Sequence, residues 1–115
     1  MIDWARGVED LKYLGMEIPP ECQQSLESYL IRGWAPGGFL TSCLAGDMFR
    51  AVRVADTGNR KMLWAIVTWI MDNAPAGSWG SYELVEDWQN DKDGRRSDYA
   101  LALEKDRVWE ILKDG

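Results

Sequence analysis

The sequence contains no histidine, although it contains seven tryptophans among its 115 residues. Histidine is the one side chain that titrates unaided between about pH 5 and 8, and it commonly acts as general base or as transition-metal ligand. It is also the usual activator of a serine or cysteine nucleophile. Its absence removes the residue on which much enzyme chemistry depends. We therefore expect a protein that binds without catalysing a reaction, with no cofactor and no metal.

Cysteines and long apolar runs are also scarce. The two cysteines, Cys22 and Cys43, lie in helix-like patterns and are expected to be free thiols. The N-terminus carries acidic residues where a signal peptide needs a basic start and an apolar run. The longest apolar run, residues 62–71, has about half the length of a membrane span. These features predict a cytoplasmic protein without membrane contact.

The composition is typical of a single globular domain, expected here to cover residues 1–115. Hydrophobic residues make up 46% of the chain and charged residues 28%, and disordered chains lack such an apolar content. Apolar residues recur with the 3.6-residue helical period, and strict alternation is short. The pattern predicts an all-α fold, a compact bundle of about five to six short helices around a central apolar helix at about residues 60–73.

Punctuating residues set the predicted helix boundaries. Proline is favoured at a helix start, Gly just after a helix end, and Ser or Asp as N-cap. A turn is predicted at residues 56–59, and a polar loop at residues 90–96. Besides the central helix, we predict these segments: Asp3 to Leu14, Pro20 to Gly33, Phe39 to Gly46, Asp47 to Ala55, Tyr82 to Gln89 capped by Ser81, and Asp98 to Lys113 capped by Ser97.

The tryptophans divide into two groups. Four fall on apolar helix stripes and are expected in the core: Trp4, Trp64, Trp69 and Trp109. Three lie in Gly/Pro turns or beside acidic residues: Trp34, Trp79 and Trp88. These three are expected to be partly exposed, where a flat ring can anchor a partner. The alternative is that they hold their loops against the core.

Charge is unevenly distributed along the chain, whose net charge is −6. Residues 72–93 carry six acids and one base, a net of −5, whereas residues 47–61 carry four bases and two acids, a net of +2. The overall negative charge opposes a general affinity for nucleic acid. Both segments are also compatible with ordinary solvated surface.

The acidic segment, residues 83–93, is the leading candidate for a partner-binding surface. It would occupy a basic, nucleic-acid-binding surface of a target protein, with a tryptophan as anchor. The predicted binding residues are Trp79, Glu83, Glu86, Asp87, Trp88, Asp91 and Asp93.

The alternative site would bind a nucleotide or a similar small anion. Guanidinium groups and backbone N–H groups at helix starts bind phosphate, and an indole ring can stack on a base. The predicted ligand-binding residues are Trp34, Arg50, Arg53, Asn59 and Arg60. The Gly77 to Ser81 segment has small residues before a helix, but its spacing does not match a phosphate-binding loop.

Catalytic and metal arrangements receive little support. Asp91 to Gly94 matches part of a calcium loop, but Gln89 and Ala100 replace two of the required ligands. The acids on the helix after Ser81 are more typical of helix-dipole partners than of a glycosidase pair. Neither cysteine has an activating base nearby in sequence.

One stretch, residues 33–88, resembles small uncharacterised proteins of bacteriophages and prophages. The resemblance rests on Gly-Trp-Ala-Pro-Gly-Gly-Phe-Leu, Ala-Asp-Thr-Gly-Asn-Arg, Asn-Ala-Pro-Ala-Gly-Ser-Trp-Gly-Ser and Glu-Asp-Trp. It implies a stoichiometric inhibitor of a host defence factor, such as a CRISPR-Cas effector, acting in the bacterial cytoplasm. The partner would then be a host protein, and a self-associating structural protein is a third hypothesis.

Overall fold

The structure is a computed structural model that describes Ile2, Trp4 and residues 18–114, with the backbone alone for residues 106–114. This part of the chain is all-α, as predicted, with six α-helices and no β-strand. The helices are α1 (Pro20–Glu27), α2 (Gly38–Ala45), α3 (Met48–Val54), α4 (Thr57–Asn73), α5 (Tyr82–Gln89) and α6 (Arg95–Asp114). A π-helical turn, Ser28–Arg32, extends α1, and a 3-10 turn, Lys92–Gly94, precedes α6. Apart from Trp4, the predicted helix from Asp3 to Leu14 lies outside the described residues.

Several predicted helix ends are confirmed. Gly33 and Gly46 end their helices with φ angles of 74° and 78°, a left-handed conformation that costs glycine little. The Asp47 carboxylate accepts the Arg50 N–H at the start of α3. The Ser81 hydroxyl likewise accepts the Leu84 N–H at the start of α5.

Two predicted boundaries are wrong. The turn expected at residues 56–59 is the first turn of α4, because the Asp56 carboxylate accepts the Asn59 N–H at 2.7 Å and caps the helix. The last helix begins at Arg95 rather than after a Ser97 cap. Here the Asp91 carboxylate accepts the Ser97 N–H and supports the first turn from outside it.

The core lies where α1, its π-helical turn, α2, α4 and α5 meet. Its largest fully buried side chains are Leu26, Tyr29, Leu30, Leu44, Ile66, Trp69, Ile70 and Trp88. The buried Tyr29 hydroxyl donates to the Ser78 carbonyl oxygen at 2.7 Å and fixes the α4–α5 connection to the π-helical turn after α1. Trp4 packs on Trp69 with ring centroids 4.6 Å apart. Among the described helices, none has the length and apolarity required to span a membrane.

The central helix α4 is not enclosed on every side, contrary to expectation. Trp69 is in the core as predicted, but Trp64 is 68% exposed. The buried residues Ala65, Ile66, Trp69 and Ile70 form one face, and the opposite face carries Trp64. The side chain of Trp109 lies outside the described side chains.

Arg96 connects three parts of the fold. Its Nε donates to the Trp88 carbonyl oxygen and its Nη1 to the Ile31 carbonyl oxygen, each at 3.2 Å. The guanidinium therefore satisfies carbonyl groups near the ends of the π-helical turn and α5. A Cβ on Gly33 would lie 2.7 Å from Arg96 Nε, so this close approach requires glycine.

Candidate functional site

The acidic segment begins on α5 with an exposed acidic surface. Glu83 and Glu86 are exposed. Asp87 is half-buried, and its carboxylate lies 3.6 Å from Lys92 Nζ. Of the seven residues predicted for this site, Glu83 and Glu86 are the ones that are exposed on α5.

The remaining acids of the segment support local structure. Asp91 accepts hydrogen bonds from the hydroxyl and the N–H of Ser97, and the hydroxyl, followed by the N–H, lowers the pKa of Asp91. Asp93 lies 3.8 Å from Arg95 Nη2. Two bases, Arg95 and Arg96, directly follow the acidic segment, so residues 83–96 together hold five acids and three bases, a net of −2. These bases weaken the negative field around the acidic segment.

Of the two tryptophans assigned to this surface, Trp79 is partly exposed, as predicted, whereas Trp88 is buried. Trp88 is 2% exposed and packs against Tyr99, with ring centroids 5.9 Å apart. Trp79 is half-buried, and its Nε1 donates to the Ala74 carbonyl oxygen. The expectation that Trp88 anchors a partner is wrong, because Trp88 shares the inner face of α5 with Val85. Val85 and Trp88 are three residues apart and therefore share one helix face, and this spacing could have predicted the burial of Trp88.

The alternative anion-binding residues are distributed over several locations. Arg50 is half-buried, and its Nη1 donates to the Ser42 hydroxyl at 3.0 Å and to the Tyr82 hydroxyl at 3.4 Å. Tyr82 in turn donates to Asp47 at 2.7 Å. Tyr82, the Arg50 N–H and both arginines on α3 lower the pKa of Asp47. Among the described side chains, Asp47 influences Arg50 and Arg53 through its charge without forming a direct ion pair with either.

Of the three other members of this set, Arg60 reaches the backbone of α3, whereas Asn59 and Trp34 have contacts of their own away from α3. Arg60 Nη2 donates to the Val52 carbonyl oxygen at 3.0 Å. Asn59 accepts from the Cys22 thiol at 3.5 Å. Trp34 is 62% exposed, as predicted, with the Arg32 guanidinium 5.5 Å from its ring centroid. The structure therefore does not bring the predicted ligand set together around one anion.

An apolar and basic surface on α3 was missed by the sequence analysis. We define the α3 patch as Phe49, Val52, Arg53 and Arg60, all of which are exposed. Phe49 is 95% exposed, the highest value among the large hydrophobic residues described as exposed. Residues at i, i+3 and i+4 share a helix face, and this places Phe49, Val52 and Arg53 together. The hydrogen bond of Arg60 to Val52 adds a second guanidinium at the border.

A cleft of about 720 Å³ lies between the N-terminal ends of α1, α2 and α4. Its lining includes Cys22, Pro36, Phe39, Asn59 and Met62. Burial, and to a lesser extent the nearby carboxylates of Glu21 and Asp56, raises the pKa of the Cys22 thiol. A raised pKa reduces the thiolate fraction and therefore the nucleophilicity of this cysteine. The polar and apolar lining fits binding of a small molecule better than thiol chemistry.

Cys43 is also a poor nucleophile. Burial raises the pKa of its thiol to about 12.

Within the described residues, no group of three or more His, Cys, Asp or Glu side chains is arranged to hold a metal ion. Comparison of the chain with protein-family models, curated proteins and solved structures found no match.

Proposed function

We propose that this protein acts by binding another protein, with the α3 patch as the principal contact surface. The observation that carries the proposal is the 95% exposure of Phe49 beside the exposed Arg53. A phenylalanine left in water gains nothing from folding, whereas burying it against a partner is worth about 1.5–3 kcal/mol. Aromatic residues and arginine are also enriched at protein interfaces.

The scaffold beneath the patch supports this use. The Asp47 cap fixes the start of α3, and Arg50 connects the helix to α2 and α5 through Ser42 and Tyr82. A contact surface held in its binding geometry loses less conformational entropy on association. The short helix α3 therefore presents Phe49 on a rigid base.

The chemistry of the patch indicates the class of partner. Two exposed guanidinium groups, on Arg53 and Arg60, border the apolar side chains of Phe49 and Val52. A complementary surface has an apolar pocket for the ring and carboxylates at its rim. In its specific form, the proposal is a stoichiometric inhibitor of a host defence factor such as a CRISPR-Cas effector. The resemblance of residues 33–88 to phage proteins supports that form, and Glu83 and Glu86 would supply a second, acidic contact.

The test is affinity capture from a lysate of the natural host, followed by titration of the captured protein in purified form. We compare the wild type with Phe49→Asp/Arg53→Glu and with the matched variant Glu83→Lys/Glu86→Lys. The proposal predicts that Phe49→Asp/Arg53→Glu binds the partner with an affinity at least tenfold lower than that of the wild type. Loss in the α5 variant alone would assign binding to the acidic segment, and retention in both would refute both surfaces.

Small-ligand binding in the cleft is a second candidate function. The cleft volume and its mixed lining favour it, and Asn59 is the member of the predicted ligand set that lines the cleft. A ligand at 100 times its dissociation constant adds about 2.7 kcal/mol to stability. A thermal-shift screen with nucleotides and small anions tests this, with Asn59→Ala as the variant. Absence of a shift in the wild type would contradict it.

A further inference from the structure

The outward face of α4 carries an apolar stripe bordered by two opposite charges. We define the α4 stripe as Lys61, Trp64, Thr68, Met71 and Asp72. On a helix these positions fall within about 100° of the circumference. Trp64 is 68% and Met71 60% exposed, and the stripe lies opposite the buried face formed by Ala65, Ile66, Trp69 and Ile70.

The two charges of the stripe have no ion-pair partner among the described side chains, and both are placed against the dipole of their own helix. Asp72 lies in the last turn of α4 and Lys61 just beyond its first turn. Cations are favoured at a helix C-terminus and anions at an N-terminus, which is the reverse arrangement. Neither side chain makes an ion pair in the part of the chain whose side chains are described.

A second copy of α4, packed antiparallel, would pair both charges and place each beside a helix end of favourable polarity. Lys61 and Asp72 are eleven residues apart, about three turns or 16 Å along one side of the helix. A twofold axis near residues 66 and 67 places Lys61 opposite Asp72 of the second copy, and the reverse pair forms at the other end. Each charge then lies beside the helix end of the second copy that stabilises it.

The geometry points to the α4 stripe as a twofold homodimer interface. In this register Trp64 lies beside the small Thr68 of the second copy, which leaves room for the ring. The stripe has no net charge and is complementary to itself, which an isologous interface requires. A parallel arrangement would instead place Lys61 opposite Lys61 of the second copy, and Asp72 opposite Asp72. The stripe shares no residue with the α3 patch, so dimerisation is independent of the proposed partner binding.

The test is analytical ultracentrifugation of the full chain across a concentration series. The wild type is expected to show a monomer–dimer equilibrium. Lys61→Glu and Asp72→Lys each create two like-charge contacts across the interface, and each is expected to weaken the dimer about tenfold or more. Both substitutions suit the α4 dipole, so thermal unfolding at low concentration should show intact monomers. Lys105→Glu and Glu104→Lys are matched controls on α6 and should dimerise like the wild type.

Mixing provides the decisive measurement. An equimolar mixture of Lys61→Glu and Asp72→Lys restores opposite charges at both ends and should form heterodimers that neither variant forms alone. The double variant should also dimerise. A wild type that stays monomeric up to about 100 µM, or a mixture that forms no heterodimer, would overturn the inference. Loss of the dimer in Phe49→Asp with retention in Lys61→Glu would do the same. The results for Lys61→Glu, Asp72→Lys and their mixture do not bear on capture of a partner by the α3 patch.

Discussion

The Tyr82 hydroxyl on α5 donates a 2.7 Å hydrogen bond to the Asp47 carboxylate that caps α3. The two residues are 35 positions apart in sequence, so the bond joins the start of one short helix to the start of another. Arg50 lies against the same pair, with its Nη1 3.4 Å from the Tyr82 hydroxyl. This contact holds the base of the α3 patch in place.

The same bond makes stability depend on acid pH. Tyr82, followed by the Arg50 N–H, lowers the pKa of Asp47 below its ordinary 3.8. A carboxyl with a lowered folded-state pKa stabilises the fold above 3.8, and this contribution is lost as pH falls through the folded-state pKa. Tyr82→Phe should therefore lose less stability than the wild type between about pH 5 and pH 2. Urea unfolding across this range measures the difference, with Tyr99→Phe as control. An unchanged acid dependence in Tyr82→Phe would contradict the assignment.

Two tryptophans should differ sharply in their contribution to stability. Trp88 is 2% exposed, so Trp88→Ala should cost about 3–5 kcal/mol through lost burial and a cavity. Trp64 is 68% exposed, so Trp64→Ala should cost less than about 0.5–1 kcal/mol in dilute monomer. Denaturant unfolding of both variants is the measurement. Similar losses would contradict the placement of Trp64 on an outward face.

The contrast between these two residues shows what the sequence could predict. Helix existence followed from the apolar period, and glycine and cap residues located most ends, because these signals are local. Whether Trp64 is buried or exposed could not be predicted from the local sequence. The run around it is apolar on nearly every side, and burial depends on which neighbours reach α4. In the candidate site, nothing in the sequence of α3 alone indicates that the side chain of Phe49 is 95% exposed.

Gly33 and Gly46 provide a matched pair for testing the Arg96 contact. Both end a helix in the left-handed conformation, with φ and ψ angles of 74° and 22° at Gly33 and of 78° and 13° at Gly46, so alanine is strained at either position by about 1 kcal/mol. A Cβ at Gly33 would also meet Arg96 Nε at 2.7 Å and the Gln89 carbonyl oxygen at 2.9 Å, whereas the nearest atom that a Cβ at Gly46 would meet is the Gly80 carbonyl oxygen at 3.7 Å. Gly33→Ala should lose at least about 1 kcal/mol more than Gly46→Ala in chemical denaturation. Equal losses would show that the close approach has no energetic consequence.

The two thiols should react slowly in the folded protein. Burial raises the pKa of Cys43 to about 12 and also raises that of Cys22, so little thiolate is present near pH 8. Labelling with a chromogenic disulfide reagent should be slow in buffer and rapid in urea. Cys22 lines the cleft and should react before Cys43, which Cys22→Ser would verify. Fast labelling of both thiols in the native protein would contradict their burial.

Phe49 is expected to contact a partner protein, and site-specific photo-crosslinking at this position detects such a contact. A photoreactive phenylalanine analogue is placed at position 49 and, as control, at the exposed Leu101 on α6, and each protein is irradiated in a lysate of the natural host. One stoichiometric protein adduct is expected from position 49; it should be absent from position 101 and suppressed by Arg53→Glu. No adduct at position 49, or equal adducts from both positions, would contradict a partner contact at Phe49.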